Sequence, residues 1–246
     1  MKSFFRFSKK TQKTPIFDFS KLNCDLHSHL IPNIDDGASS LKDSVFLVKG
    51  LSDLGFKKII TTPHIMKGVY DNNVDIINSG LNKLRKEIRN ENIDIEIQAS
   101  AEYYFDFHFF ELAKKRELIS FNNNFILFEL SFLDSPLNLY DVIFELQLMG
   151  YNVILAHPER YSFFNKEDYK KLKSKNIFFQ INLLSLIGYY NEEVQKKSEY
   201  LIDSGMVDFA GTDLHNSTQL EFYHKVQTTK YYHALFEKNN LLNNTL

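Results

Sequence analysis

The sequence has a single cysteine, Cys24, among its 246 residues. It therefore has no intrachain disulfide, and the lone thiol, in an apolar predicted strand, is expected to be a small buried hydrophobe. A chain without disulfides suits a reducing compartment, so we expect a cytoplasmic location. No apolar run approaches the ~20 residues that a membrane-spanning helix needs. Residues 1–13 also lack the uninterrupted apolar stretch of a signal peptide.

The sequence likewise has no large excess of charge of either sign, with 29 Lys and Arg against 31 Asp and Glu. This near balance argues against a protein that grips nucleic acid nonspecifically. Positive charge is concentrated locally, in Lys2, Arg6, Lys9, Lys10 and Lys13, which are interleaved with Phe4, Phe5 and Phe7. We expect residues 1–20 to be a flexible basic tail, and a weak contact of this tail with an anionic membrane surface is the alternative.

Short β-rich apolar runs alternate with longer helical patterns through the rest of the chain. The runs span residues 22–27, 57–62, 93–102, 124–131, 151–157, 176–183 and 206–213. Helices are predicted near 40–54, 138–149 and 191–204, each followed by a glycine. No repeat or linker divides the chain, so residues 21–246 are predicted to form one domain. Parallel strands covered by helices at this length predict an α/β barrel with seven strands.

Residues 25–37, which read DLHSHLIPNIDDG, concentrate polar side chains directly after the first predicted strand. In an extended strand His27 and His29 point to the same side, because side chains alternate. Two imidazoles directed at one point can chelate a metal ion. An isolated H-x-H pair is more often a coincidence, so the other strands have to decide between these interpretations.

Ligand-type side chains also lie at or near the ends of five of the other six predicted strands, where a parallel barrel gathers its catalytic groups. The candidate metal ligands are His27, His29, Asp36, His64, Glu102, Glu129, His157, Asp213 and His215. Any one of them alone is more commonly structural. Their recurrence at successive strand ends indicates a metal centre instead. Imidazole and carboxylate without thiolate suit Mn²⁺, Zn²⁺ or Fe²⁺, and nine ligands indicate two or three ions.

Six motifs occur in order across residues 22–216: DLHSHLIPNIDDGA, TTPHI, AEYY, FEL, LAHPERY and GTDLH. Together they resemble the PHP (polymerase and histidinol phosphatase) superfamily, and within it the manganese-dependent tyrosine-protein phosphatases of bacterial capsule and exopolysaccharide biosynthesis. The resemblance implies a distorted TIM-like (β/α)7 barrel with outer helices and Mn²⁺ as the cofactor. It also implies a phosphotyrosine protein as substrate, expected to be a bacterial tyrosine kinase.

The same resemblance implies a role for each candidate residue. A first metal would be bound by His27, His29, Glu102 and Asp213, a second by Glu102, Glu129 and His157, and a third by Asp36, His64 and His215. Arg160 would bind the substrate phosphate. The family often has a further arginine shortly after the D-x-H motif, whereas this chain reads DLHNSTQLEFYH there.

In the hydrolysis of a phosphate monoester, the main physical difficulty is that the attacking water meets a phosphate dianion that repels it. Metal ions would reduce this difficulty. Bound cations lower the pKa of a bridging water and absorb charge on the phosphoryl oxygens, so the expected nucleophile is metal-bound hydroxide. Arg160 would add a bidentate contact. Six tyrosines are candidates to line a pocket for the substrate ring: Tyr70, Tyr103, Tyr104, Tyr161, Tyr189 and Tyr190.

Two other functions are compatible with these motifs. One is a PHP phosphoesterase that acts on a small metabolite such as histidinol phosphate, and the other is an inactive metal-stabilised scaffold that binds a kinase. An amidohydrolase barrel also begins with H-x-H, but it usually bridges its metals with a carbamylated lysine. Here Glu102 occupies the plausible bridging position.

Overall fold

The computed structural model describes residues 18–246, which alternate between short strands and helices. The strands are β1 Cys24–Leu26, β2 Lys58–Thr61, β3 His64–Ile65, β4 Glu96–Ala99, β5 Glu102–Tyr104, β6 Phe125–Glu129, β7 Asn152–Ala156, β8 Phe178–Asn182 and β9 Phe209–Gly211. The helices are α1 Leu41–Asp53, α2 Val74–Asn90, α3 Phe107–Lys115, α4 Leu139–Leu148, α5 Lys166–Ser174, α6 Glu192–Asp203, α7 Ser217–Leu220, α8 Tyr223–Val226 and α9 Lys230–Lys238. All ladders between these strands are parallel.

The seven predicted strand positions are present, but two of them are interrupted. The order β1-β2-β4 forms one sheet and β3-β5-β6-β7-β8-β9 forms the other, and β3 and β5 continue β2 and β4 after a break of two residues each. Pro63 lies in the first break and has no N–H to donate to a ladder. His64 and Glu102, predicted at strand ends, therefore each open a second segment, where they are paired in register.

The last strand returns beside the first and closes a distorted (β/α)7 barrel. The Asp213 N–H donates to the His27 carbonyl at 2.7 Å, and the His29 N–H donates to the Leu214 carbonyl at 2.9 Å. A parallel bridge between Ser28 and Leu214 results. The two segments that carry candidate ligands are thus joined directly by backbone hydrogen bonds.

Deeper in the barrel, a side-chain amide completes the seam between β1 and β9. Asn243 is fully buried; its Oδ1 accepts from the Ala210 N–H, and its Nδ2 donates to the carbonyls of Cys24 and Ala210. The strands approach closely at Gly211, where a Cβ would lie 1.9 Å from the Leu26 carbonyl oxygen. Only glycine fits at that position.

Two hydrophobic clusters fill the molecule. Alternate strand residues form the inner cluster, which contains Cys24, Leu26, Ile60, Phe121, Phe125, Leu127, Ile154, Ala156 and Phe209, with Leu242 and Leu246 against it. The larger cluster joins the outer faces of the strands to the helices. The period of two along the strands separates the two cores. Cys24 is buried, as predicted, and lies in the inner cluster.

Helix boundaries agree closely with the sequence prediction. Ser40 is the N-cap of α1, and its side chain accepts from the Asp43 N–H. Gly55, with φ +109°, follows the end of that helix. The predicted helices near 138–149 and 191–204 correspond to α4 and α6. In the described part of the chain, no helix is long and apolar enough to cross a bilayer.

The predicted basic tail, residues 1–20, falls largely outside the described residues. Its charged and aromatic positions, from Lys2 to Lys13, all do so. Folded structure nevertheless begins before residue 21, because Phe19 is fully buried and stacks on Phe56 with ring centroids 5.1 Å apart. The Asp18 carbonyl also accepts from the Tyr232 hydroxyl at 2.9 Å. Asp18 and Phe19, which fall within the predicted tail, thus belong to the folded structure.

Candidate metal centre

The two histidines of the H-x-H motif converge as predicted, but not through an extended strand. Strand β1 ends at Leu26, and His27 has φ +105°. The two Nε2 atoms are nevertheless 3.3 Å apart. Two further candidates, His157 with φ +35° and Asp213 with φ +53°, share this left-handed backbone. For residues other than glycine it costs about 1–3 kcal/mol and is concentrated at functional sites.

Neighbouring acceptors fix which nitrogen of each imidazole carries a proton. His27 Nδ1 lies 2.8 Å from Gln180 Oε1, and the amide nitrogen of Gln180 is occupied with Asn182 Oδ1. His29 Nδ1 lies 2.8 Å from Asp35 Oδ2. Both Nδ1 atoms therefore donate, and in the neutral rings both Nε2 atoms present lone pairs to each other. A shared cation relieves that repulsion, so the residues present fit a metal ion.

Glu102 lies at the centre of the imidazoles and is fully buried. Its Oε2 is 3.0 Å from His27 Nε2, 3.4 Å from His29 Nε2 and 3.2 Å from His64 Nδ1, whereas Oε1 is 3.1 Å from His157 Nε2. Within residues 18–246, Oε2 and His64 Nδ1 have no hydrogen-bond partner of acceptable geometry. A buried carboxylate oxygen without a hydrogen-bond partner and surrounded by imidazoles would suit a bound cation.

The remaining candidates complete a continuous set of donor atoms. Asp36 Oδ1 lies 3.5 Å from both His64 Nε2 and His215 Nε2, and Glu129 Oε1 lies 3.2 Å from His64 Nδ1. Four overlapping groups have ligand atoms within 4.8 Å of one another: His29–Asp36–His64–His215, His27–His29–Asp213, His27–Glu102–His157 and His64–Glu102–Glu129. The structure thus brings all nine predicted ligands together. It adds His29 to the group predicted for the third metal.

The surrounding carboxylates make this centre attractive to cations. Burial lowers the pKa of His27, but Glu102 and Asp213 outweigh that effect and raise its pKa to about 9. A hydrogen bond from His215 is the main cause that lowers the pKa of Asp36 to about 2. Burial opposes ionisation of Asp213, yet His27 and His215 hold its pKa well below the usual range. Metal ions and protons therefore compete for the same nitrogen atoms.

Arg160 lies at the edge of this centre between two aromatic rings. Its guanidinium carbon is 4.4 Å from the ring centroid of Tyr190 and 4.8 Å from that of Phe132. Its Nη1 donates to Asp213 Oδ2 at 2.9 Å, and Asn182 Nδ2 donates to the same oxygen at 2.7 Å. The stacking and the ion pair together hold the guanidinium in place.

Several residues that shape the centre were not identified from the sequence. Asp35, next to the predicted Asp36, orients His29 and also accepts from the His64 N–H. The DDG turn permits this because Gly37 has no side chain; a Cβ there would lie 2.1 Å from the His29 carbonyl oxygen. The pair of adjacent aspartates was a usable signal. Gln180, Asn182 and Phe132 had no comparable signal in the sequence.

A cavity of about 380 Å³ opens above the candidate ligands, and Phe132, Arg160, Tyr190, Asn216 and Gln219 complete its lining. Tyr190 is the one member of the predicted tyrosine set among these described lining residues. Tyr70 stacks on His64 outside the cavity, with centroids 5.5 Å apart. Tyr103 and Tyr161 are buried, and their hydroxyls accept backbone N–H groups. Tyr104 and Tyr189 do not border the cavity.

Comparison with known proteins identifies the family. The model for capsular polysaccharide synthesis, CpsB/CapC, matches residues 23–233. The chain belongs to the CpsB/CapC family. This CpsB/CapC chain is 30% identical over 206 residues to tyrosine-protein phosphatase YwqE of Bacillus subtilis, covering 81% of this chain and 80% of YwqE. It is 26% identical over 200 residues to tyrosine-protein phosphatase CpsB of Streptococcus agalactiae, covering 78% and 82%.

Solved structures agree with this assignment. One chain comes from the crystal structures of YwqE from Bacillus subtilis and CpsB from Streptococcus pneumoniae, described as unique metal-dependent tyrosine phosphatases. It matches the CpsB/CapC chain with a TM-score of 0.76 and 28% identity, over 87% of this chain and 91% of that one. Histidinol phosphate phosphatase of Lactococcus lactis matches with a TM-score of 0.54 and 16% identity, over 83% and 92%. That second likeness concerns the fold alone.

Proposed function

We propose that the chain is a metal-dependent protein-tyrosine phosphatase that hydrolyses phosphotyrosine. The observation that carries this proposal is the convergence of nine imidazole and carboxylate side chains, seven of which line one cavity, in a CpsB/CapC chain. Two relatives, YwqE and CpsB, are named tyrosine-protein phosphatases. The resemblance seen in the sequence motifs leads to the same function.

The nine candidate ligands would hold two or three divalent ions, and we propose Mn²⁺, with Fe or Zn as the alternatives. The overlap of the four groups through His27, His29, His64 and Glu102 supports a cluster rather than separate sites. Divalent ions bound there would supply Lewis acidity towards water and the phosphoryl oxygens. The donor set contains imidazole and carboxylate only, which suits these metals.

The chain's own residues prepare the site for a phosphate dianion. Gln180 and Asp35 hold the two imidazoles with their lone pairs directed inward. Arg160 would contact the phosphate, since its Nη1 bond to Asp213 fixes the guanidinium while the other N–H groups of the fork provide donors for phosphoryl oxygens. These groups would bind the substrate and stabilise charge during transfer.

We further propose that the substrate is a tyrosine-phosphorylated protein, expected to be a bacterial tyrosine kinase that regulates capsule or exopolysaccharide synthesis. The family description and the motif resemblance support this choice. A cytoplasmic location is proposed with it, and the single buried thiol of Cys24 is compatible with a reducing compartment.

The deciding experiment combines elemental analysis of the purified protein with hydrolysis of a phosphotyrosine peptide and of histidinol phosphate. We expect two or three equivalents of metal, rapid hydrolysis of the peptide, loss of activity on chelation and recovery with Mn²⁺. His27→Ala and Glu102→Ala should be inactive. Preference for histidinol phosphate would support the small-metabolite alternative, and a metal-loaded protein without turnover would support the scaffold. Full activity in a metal-free protein would exclude the proposed mechanism.

A further inference from the structure

Phe132 differs chemically from every other described residue that lines the cavity, because its side chain is purely hydrocarbon. The other lining residues carry carboxylate, imidazole, guanidinium, amide or hydroxyl groups. Such polar groups suit a phosphate and its metal ions. An apolar ring among them marks the place where a different part of the substrate would lie.

The Phe132 side chain is partly packed against neighbouring side chains and partly exposed. Its ring stacks on His157 with centroids 5.8 Å apart at an interplanar angle of 20°, and it lies 5.4 Å from the ring of Tyr161. The Arg160 guanidinium adds a cation–π contact. Even so, 44% of the residue is exposed. Burying an aromatic surface of this size is favourable, so its exposure beside the cavity leaves room for a ligand.

The ring of Tyr190 also packs against Arg160, but it is less available than Phe132 for contact with a substrate. Its hydroxyl accepts from Asn182 Nδ2 at 3.1 Å, and Asn182 also binds Asp213. Tyr190 therefore belongs to the wall behind Arg160, whereas Phe132 projects from the loop after β6. Leu133 and Leu137 of the same loop are exposed as well.

We propose that Phe132 is a specificity-determining residue that packs against the aromatic ring of an aryl phosphate while Arg160 contacts its phosphate. This inference rests on the proposed function and names the feature of the substrate that the site selects. A phenyl ring attached to a phosphate held at Arg160 is within reach of Phe132, since the two side chains are in contact. Stacked or edge-to-face aromatic pairs then favour aryl over alkyl esters.

The test measures binding, so that it does not depend on turnover. Calorimetry with the Mn²⁺-loaded protein would give dissociation constants for phenylphosphonate, ethylphosphonate and inorganic phosphate. Phe132→Leu should weaken phenylphosphonate binding by about 3- to 10-fold, and it should change the other two by less than about twofold. Phe132→Tyr, which keeps a ring, should bind phenylphosphonate about as well as the wild type.

Phe144→Leu is the matched control, because Phe144 is a comparably exposed phenylalanine on α4 that does not line the cavity. It should bind all three ligands like the wild type. An equal loss for all three ligands in Phe132→Leu would overturn the inference and show that Phe132 only positions Arg160. Unchanged binding of phenylphosphonate would overturn it too. Failure of the wild type to hydrolyse a phosphotyrosine peptide would instead count against the proposed function.

Discussion

Asp35 Oδ2 lies 2.8 Å from His29 Nδ1. The Asp35 carboxylate is not among the candidate ligands, but it sets the orientation of the His29 imidazole, which is. The same oxygen accepts from the His64 N–H at 3.1 Å, and Oδ1 accepts from the Gly37 N–H at 3.0 Å. One side chain therefore connects the loop after β1 to the start of β3. Mutation of a partner of this kind typically lowers metal affinity by about 10- to 100-fold.

Asp35→Asn should lower the affinity for Mn²⁺ by about 10- to 100-fold, because the amide keeps the shape but loses the charge that strengthens His29 as a donor. Metal titration of the chelated protein measures this. Asp53→Asn, at the exposed end of α1, removes the same charge far from the centre and should leave the affinity unchanged. Equal affinity in both variants would show that Asp35 has no role in metal binding.

Arg160→Ala should lower kcat/KM for a phosphotyrosine peptide by about 100-fold or more, because the phosphate loses its charged fork. Arg160→Lys should recover only part of this loss, since an ammonium has no planar two-point contact. Metal content should be retained, because Asp213 Oδ1 faces the imidazoles while Oδ2 keeps its bond from Asn182. Loss of metal or of folding in Arg160→Ala would assign Arg160 a structural role instead.

Cys24→Ser should keep most of the phosphatase activity. The thiol is buried inside the barrel, and burial raises its pKa, so the thiolate needed for nucleophilic attack is absent at neutral pH. A hydroxyl in that apolar interior should lower the free energy of unfolding by about 1–3 kcal/mol. Thermal denaturation and peptide hydrolysis would measure the two effects. A folded but inactive Cys24→Ser protein would indicate a cysteine mechanism.

Metal affinity should increase as the pH rises from 6 to 9. The pKa of His27 is raised from 6.5 to about 9 in the metal-free protein, so below that pH a bound proton must leave before a metal ion binds. The same shift stabilises the chelated protein fully below about pH 6.5, and this contribution is lost as the pH rises through about 9. Thermal denaturation across this range should show that the melting temperature of the chelated protein falls with pH, whereas that of the metal-loaded protein rises. Affinity independent of pH would contradict the assignment of His27.

The alternation of short strands and helices was enough to predict the barrel, and the choice of ligand-type side chains at strand ends was enough to predict which of them come together. The ends of parallel strands bring distant candidate ligands such as His27 and Asp213 together, as expected for a parallel barrel. The extended backbone expected at His27 was wrong: its φ is positive, and its carbonyl accepts from the N–H of Asp213, a residue after β9 that lies far away in sequence.

Partners that act through space were the least predictable part of the site. Gln180 and Asn182 occupy ordinary positions of a strand, and only the folded barrel turns them towards His27 and Asp213. Phe132 reads as one more apolar residue after β6 until the cavity beside it is known. The interruption at Pro63, by contrast, was predictable, because proline cannot donate to a ladder.

The amide of Asn243 joins Cys24 and Ala210 although 219 residues separate it from Cys24 along the chain. The open edge of β1, the first of the described strands, is therefore satisfied only after β9 and Asn243 have been synthesised. Closing so long a loop delays folding, because the entropy of the chain is lost before the contact is gained. Until this seam forms, the edge of β1 is exposed to pairing with other chains.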